Sequence, residues 1–189
     1  MIRAEAAAGS SSTEGRFRRA RPRRTLVPAP QPLERKRVFD FVVETRPLTI
    51  DAPAQTVWDI LTDGQRYGEW NPFTTRIETD FQAGSPVRAH VVLGRLPVNV
   101  TEHTDVAEPP TRLTWSSVYW SQTLLTAAKT QVITALGPDR CAYHTTDTMA
   151  GLLAPIVQAL FRRAIRRGFE ETAHALKARA EKRYASQVA

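Results

Sequence analysis

Two extended stretches, residues 123–136 and 141–149, carry the side chains best suited to chemistry. Gly137, Pro138 and Asp139 separate them and predict a hairpin turn. With residues 137–140 in the turn, Lys129 stands opposite Asp147, Gln131 opposite Thr145 and Ile133 opposite Tyr143. Side chains alternate across a sheet, so Lys129, Gln131, Tyr143, Asp147 and Met149 share one face. Thr130, Thr134, His144, Thr146 and Thr148 form the other, which reads as the solvent side. A lysine and a carboxylate facing each other in a partly dry cavity are expected to pair, each holding the other charged. One of them can then polarise a carbonyl or stabilise an enolate while the other moves a proton. Lys129, Asp147 and Tyr143 are the catalytic candidates, with Gln131 as a hydrogen-bonding group. The alternative is a buried bridge that joins two strands and touches no substrate. A register slip of one residue would turn all of them outward.

The elements that must position these groups follow from changes of period along the chain. Residues 38–50 are extended and rich in β-branched and aromatic types, with Pro47 marking an edge or a bulge. Asp51, Ala52 and Pro53 open a helix carrying Val57, Trp58, Ile60 and Leu61 on its apolar side, and Gly64 follows its end. Further extended stretches cover 74–81, 86–93, 98–106 and 112–118, before the two already described. Their short connections imply an antiparallel meander. Residues 152–182 form a long helix with Leu153, Val157, Phe161, Ala164, Ile165, Gly168, Thr172, Ala175 and Leu176 on one arc. Arg162, Arg163, Arg166 and Arg167 lie on the opposite arc, as a solvated face or an anion-binding stripe.

This order predicts an α+β fold: a curved six- to seven-stranded antiparallel sheet wrapped around a long C-terminal helix, with two short helices after the first strand. The sheet needs its apolar face covered, and that helix is the only large element left to do so. One helix does not fill a concave sheet, which favours a pocket for a hydrophobic small molecule. Tyr67 to Phe73 supply a rigid wall, because Pro72 fixes its own φ and pushes Asn71 out of the helical region. Trp70, Asn71, Phe73, Tyr119 and Trp120 sit at element ends, where a cavity mouth is expected. Trp115, like Trp58, is a core residue or a ligand contact. Met149 shares the inner sheet face, and Phe161 and Ile165 line the pocket from the helix. Gly168 leaves a notch that admits ligand or a closely packed neighbour.

Several of these motifs carry a resemblance. Ala52-Pro53-Ala54 through Val57-Trp58, Trp70-Asn71-Pro72-Phe73, Pro110 through Leu113 with Trp115, and Gly151-Leu152-Leu153 leading to Phe169-Glu170-Glu171 and Ala175-Leu176-Lys177 resemble the START-related helix-grip superfamily (SRPBCC, Bet v 1-like). Within it the chain is most similar to the polyketide cyclase/dehydrase and lipid-binding branch. The resemblance covers residues 37–182 and implies the helix-grip fold. In that branch a histidine and a glutamate commonly occupy the positions resembling Lys129 and Asp147, and this sequence departs at both. The expected function is a cofactor-independent cyclase or dehydratase that encloses a hydrophobic intermediate and promotes acid/base cyclisation or dehydration. The alternative is a non-catalytic carrier or sensor of a lipid-like molecule.

Charge divides the chain unevenly. Residues 1–36 hold nine basic and three acidic groups, so six of the net +7 charges lie there. Their Ala, Ser, Arg and Pro composition predicts a disordered tail ahead of a domain at 37–183 and a short tail at 184–189. That basic tail is a solvated extension or a contact for an anionic partner, with no specificity for nucleic acid. No stretch reaches membrane-spanning length. A lone Cys141 gives no disulfide framework, which makes a cytoplasmic location the expectation. His90, His103, His144 and His174 lack metal-ligand spacing, so no metal and no cofactor are expected. A monomer or homodimer is expected.

Overall fold

A computed structural model describes residues 39–188, and the expected tail at 1–36 lies outside the described residues. Pro47 divides the first extended stretch, since it has no N–H to give a ladder. The halves are strands β1 (Asp40–Glu44) and β2 (Leu48–Ile50). Both pair antiparallel with β8 (Arg140–Ala150). At the break, the Thr45 amide donates to the Thr145 carbonyl (2.9 Å) and the Thr145 amide donates to Thr45 Oγ1 (2.9 Å). The sheet therefore has eight strands, where the periodicity predicts six or seven.

After β2 come helix α1 (Ala54–Leu61), a 3-10 helix (Gly64–Glu69) and β3 (Thr74–Glu78). Then follow β4 (Pro86–Leu93), β5 (Leu96–Glu108), β6 (Arg112–Tyr119) and β7 (Leu125–Gly137). The spatial order is β1-β8-β7-β6-β5-β4-β3, all antiparallel, with β2 beside β8. The β7–β8 register is the predicted one: Lys129 faces Asp147, Gln131 faces Thr145 and Ile133 faces Tyr143. Leu125, Ala127, Gln131 and Ile133 of β7 and Cys141, Tyr143, Thr145 and Asp147 of β8 are buried, so the odd positions form the inner face. This is the helix-grip fold.

Helix α2 (Ala154–Val188) lies along that face. Its buried stripe is Ile165, Gly168, Phe169, Thr172, Ala173, Leu176 and Ala180. Phe169 and Ala173 hold places that the periodicity gives to Ala175, which is half-buried. The i, i+4 row from Ile165 through Phe169 and Ala173 points more directly at the sheet. The helix also runs through 184–188, which the sequence sets apart as a tail. Tyr184 continues the row from Ala180 and packs against the core, extending the helix by another turn. Among the described residues no helix is long and apolar enough to cross a membrane.

The core has two parts. One gathers α1, the 3-10 helix and the second half of α2 around Trp58, Leu61, Tyr67, Leu113, Trp115, Ile133, Tyr143 and Leu176. The other joins Phe41, Val43, Phe73, Leu125, Ile165 and Phe169. Between them the Asn71–Phe73 segment is pinned to α2. Asn71 Oδ1 accepts from the amides of Phe73 (3.0 Å) and Thr74 (2.8 Å) and from the Thr172 hydroxyl (3.0 Å). The Phe73 ring lies over Gly168, where an added Cβ would come within 2.0 Å of Phe73 Cδ2. Phe73 and Phe169 meet edge to face with ring centroids 5.4 Å apart. The notch at Gly168 is thus filled by a side chain of the protein itself.

Asn71→Ala leaves two buried amides without an acceptor and is expected to lower unfolding free energy by about 2 kcal/mol or more. Gly168→Ala drives a methyl into Phe73 and is expected to cost about 1–3 kcal/mol. Urea denaturation measures both, and wild-type stability in either variant would contradict the corresponding contact.

Candidate functional site

A cavity of about 460 Å³ lies between the inner sheet face and the first half of α2. Its apolar walls come from Phe73, from Val91 and Leu93 of β4, Val98 and Val100 of β5, Trp115 of β6, Met149 of β8, and Val157, Phe161, Ile165 and Phe169 along α2. Leu96, Tyr119 and Trp120 also line it, and Trp120, 80% exposed, forms a lip. Trp120 adopts a left-handed φ of 63°, uncommon for a bulky residue.

One amine and two carboxyl groups reach into this apolar space: Lys129, Glu102 and Asp147. Strand pairing explains two of them. Thr104, Trp115, Lys129, Asp147 and Val43 form one cross-strand row over β5, β6, β7, β8 and β1. Lys129 is therefore flanked by an indole and a carboxylate. Its Nζ lies 5.0 Å from the ring centre of Phe169, 5.2 Å from Trp115 and 6.0 Å from Phe73. It makes no hydrogen bond, and no ion pair within 4.0 Å, with any described residue. Asp147 is 6% exposed, and its Oδ1 is buried with no hydrogen-bond partner.

The expected pairing of Lys129 with Asp147 is thus corrected: the backbones face each other, but the charged tips do not meet. Nor does each hold the other fully charged. Burial pushes the Asp147 carboxyl up to about 6, with Lys129 pulling the other way. Burial likewise pushes Glu102 up to about 7, opposed by Lys129 and reinforced by Asp147 and Asp105. Burial lowers the Lys129 pKa, while Glu102 and Asp147 raise it. Desolvation outweighs attraction in all three, because the attraction acts across a gap and the desolvation on each group separately.

Of the residues singled out in the sequence, Lys129, Asp147, Phe73, Trp115, Tyr119, Trp120, Met149, Phe161 and Ile165 line this cavity. Tyr143, Gln131, Trp70 and Asn71 do not. Tyr143 is fully buried and donates to Gln131 Oε1 (2.8 Å), while the Thr145 hydroxyl donates to Tyr143 (2.9 Å). That network belongs to the filled end of the inner face, and burial holds the Tyr143 phenol far above its usual pKa. Asn71 spends its carbonyl oxygen on the wall itself. Trp70 lines a separate surface cleft with Arg66, Arg179, Lys182 and Arg183. Among the described residues no group of three or more His, Cys, Asp or Glu side chains is placed to hold a metal ion.

Glu102 is the functional candidate that sequence reasoning missed. Its signal was present: Val98, Val100, Glu102 and Thr104 alternate with more polar neighbours, so an acidic residue interrupts an otherwise inward-facing series. Phe169, in the sequence only part of the Phe169-Glu170-Glu171 motif, also lines the cavity.

Stability should depend on pH through Asp147 with a definite sign. Its folded pKa of about 6 exceeds its ordinary value of 3.8, so the native state binds that proton more tightly. The stabilisation is complete below the ordinary value and is lost as pH rises through the folded one. Asp147→Asn removes this dependence. Its effect relative to wild type should be more favourable at pH 8 than at pH 4 by about 1–3 kcal/mol, measured by denaturant unfolding at both pH values. An equal effect at the two would show an ordinarily solvated carboxylate.

No curated protein matches this chain in sequence. Solved structures do match its fold. The Zhui aromatase/cyclase from Streptomyces sp. R1128 aligns with a TM-score of 0.64 at 19% identity, covering 77% of this chain and 96% of that one. A START superfamily protein from Mycobacterium smegmatis gives 0.59 at 19% identity, covering 75% and 97%. A point mutant of norcoclaurine synthase from Thalictrum flavum gives 0.58 at 13% identity, covering 80% and 98%. At such identities the likeness is one of fold. Sequence adds the family: residues 42–181 match the one described as polyketide cyclase / dehydrase and lipid transport, and the chain belongs to it.

Proposed function

We propose that this domain encloses a hydrophobic biosynthetic intermediate and promotes its cyclisation or dehydration by acid/base chemistry. The observation that carries this reading is the convergence of Glu102, Lys129 and Asp147 on one otherwise apolar cavity. Its volume of about 460 Å³ suits a small-molecule ligand. Family membership and the fold shared with an aromatase/cyclase support the same class of reaction.

In the proposed mechanism the aromatic and aliphatic walls fold an extended carbonyl-bearing chain and exclude water. The Asp147 carboxylate takes a proton from the carbon next to a carbonyl. Lys129 stabilises negative charge on that carbonyl oxygen, and the resulting carbanion equivalent attacks a second carbonyl. Glu102, which burial pushes up to about 7, in its acid form protonates the hydroxyl that leaves as water. The reading includes a cytoplasmic setting, no cofactor, and a monomer or homodimer. A second reading, a carrier or sensor that binds a lipid-like molecule unchanged, draws on the predominance of apolar groups in the wall and on the lipid-transport members implied by the family description.

Lys129→Met and Asp147→Asn separate the two readings. With a poly-β-carbonyl substrate, each is expected to lower kcat by about 10²–10⁴-fold. Each should change the affinity for an apolar fluorescent probe less than threefold, roughly the effect of one lost weak contact. Unchanged product formation in both variants would remove the acid/base assignment. Native mass spectrometry showing a co-purified ligand released unaltered would then support the carrier.

A further inference from the structure

The amine of Lys129 stands in a setting that a structural lysine does not need. Its Cα is fixed by strand pairing on both sides, to Trp115 of β6 and Asp147 of β7's other neighbour, β8. Yet its Nζ is held by no hydrogen bond and no ion pair among the described residues. It ends among three aromatic rings at 5.0–6.0 Å, on the wall of a cavity large enough for a ligand. We infer that Lys129 is a covalent nucleophile whose amine condenses with a ketone or aldehyde carbonyl of the enclosed molecule to form an iminium.

The proposal rests on the reading that a carbonyl-bearing ligand enters the cavity, and deepens it by naming the bond formed there. Condensation needs a neutral amine, and desolvation by the apolar walls moves Lys129 in that direction. The Nζ lone pair attacks the carbonyl carbon, the C=O π pair moves to oxygen, and a proton passes from nitrogen to oxygen to give a carbinolamine. A protonated carboxyl, Glu102 or Asp147, then gives a proton to that hydroxyl. The C–O bond breaks, water leaves, and the nitrogen lone pair forms C=N. The balance is one neutral amine, one carbonyl and one proton giving one iminium cation and one water, with no oxidant or reductant. The carboxylate left behind can take a proton from the adjacent carbon. The C–H pair becomes C=C and nitrogen recovers its lone pair. The enamine carbon then attacks a second carbonyl, whose π pair moves to oxygen and takes a proton, and water hydrolyses the re-formed iminium to release the ring product, the free amine and a proton.

The surroundings accept a delocalised cation more readily than a compact ammonium. The faces of Phe73, Trp115 and Phe169 attract positive charge, and an iminium spreads that charge while remaining apolar enough for the cavity. The titratable groups facing Lys129 in the cavity are Glu102 from β5, Tyr119 from β6 and Asp147 from β8. The segment bearing Phe73, strand β4 and helix α2 contribute only uncharged side chains to its wall.

The test is reductive trapping on the full-length protein with hexanal and sodium cyanoborohydride at pH 7, followed by peptide mass spectrometry. Lys129 is expected to be alkylated at least tenfold faster than the exposed Lys182. Lys129→Arg should abolish that adduct, leave labelling of Lys182 unchanged, and abolish turnover of a poly-β-carbonyl substrate although it keeps a positive charge. Labelling of Lys182 with none at Lys129 would overturn the proposal, as would full turnover by Lys129→Arg. If trapping fails while Lys129→Met still abolishes turnover, the covalent step falls and the acid/base reading stands.

Discussion

One helix cannot fill the hollow of an eight-stranded sheet, and the rest of this molecule is arranged around that shortfall. The second half of α2 succeeds locally, because α1 and the 3-10 helix bring Trp58, Leu61 and Tyr67 to complete the packing around Leu176. The first half has no such help, and a cavity remains. The boundary between filled and hollow ends is set by the Phe73 ring lying on Gly168 and by Asn71 joining the chain before β3 to Thr172. That close contact holds helix and sheet at a fixed separation, so the cavity is a property of the packed fold rather than an accident of loops.

Charge placed in such a space is costly, and the protein does not relieve it in the usual way. Glu102, Lys129 and Asp147 are close enough to alter one another's proton affinity, yet no ion pair within 4.0 Å joins Lys129 to either carboxylate. A compact bridge would stabilise the charged forms and tie up each group in the other. In the proposed function, leaving them apart keeps acid, base and amine available, at the expense of stability that well-packed apolar residues would supply. This opposition of stability and reactivity is common at functional sites.

Much of this was legible in the sequence, and the limits have physical causes. Centring the hairpin on residues 137–140 gives the β7–β8 pairs correctly, although the turn itself is the two residues Pro138 and Asp139 and a register shift between Ala135 and Gly137 restores the expected pairing. The strand count fell short because Pro47 interrupts a run whose two halves pair with the same partner, something composition does not reveal. Alternation identifies the inner face but not where α1 and α2 cover it, and Tyr143 and Gln131 share that face with Lys129 and Asp147 although they lie under the packed end. It fixes which backbones oppose each other and leaves open how far apart long side chains end, so facing backbones at Lys129 and Asp147 do not imply a salt bridge. Glu102 needed the same alternation applied to β5, whose hairpin with β4 across Gly94 and Arg95 sets Glu102 opposite the buried Val87.

The alternation of β6, β7 and β8 has a consequence for how such a domain can diversify. Odd positions on these strands face inward, while even positions such as Thr114 and Thr130, whose hydroxyls meet at 3.1 Å, belong to the outer surface. The two sets are interleaved in the gene but separated in space by the thickness of the sheet. A lineage can therefore exchange Trp115, Lys129 or Asp147 for other residues without rewriting the outer face or the backbone ladder between them. Selection for a new ligand and selection for a soluble exterior act on alternate codons of the same strands, and each can proceed with little interference from the other.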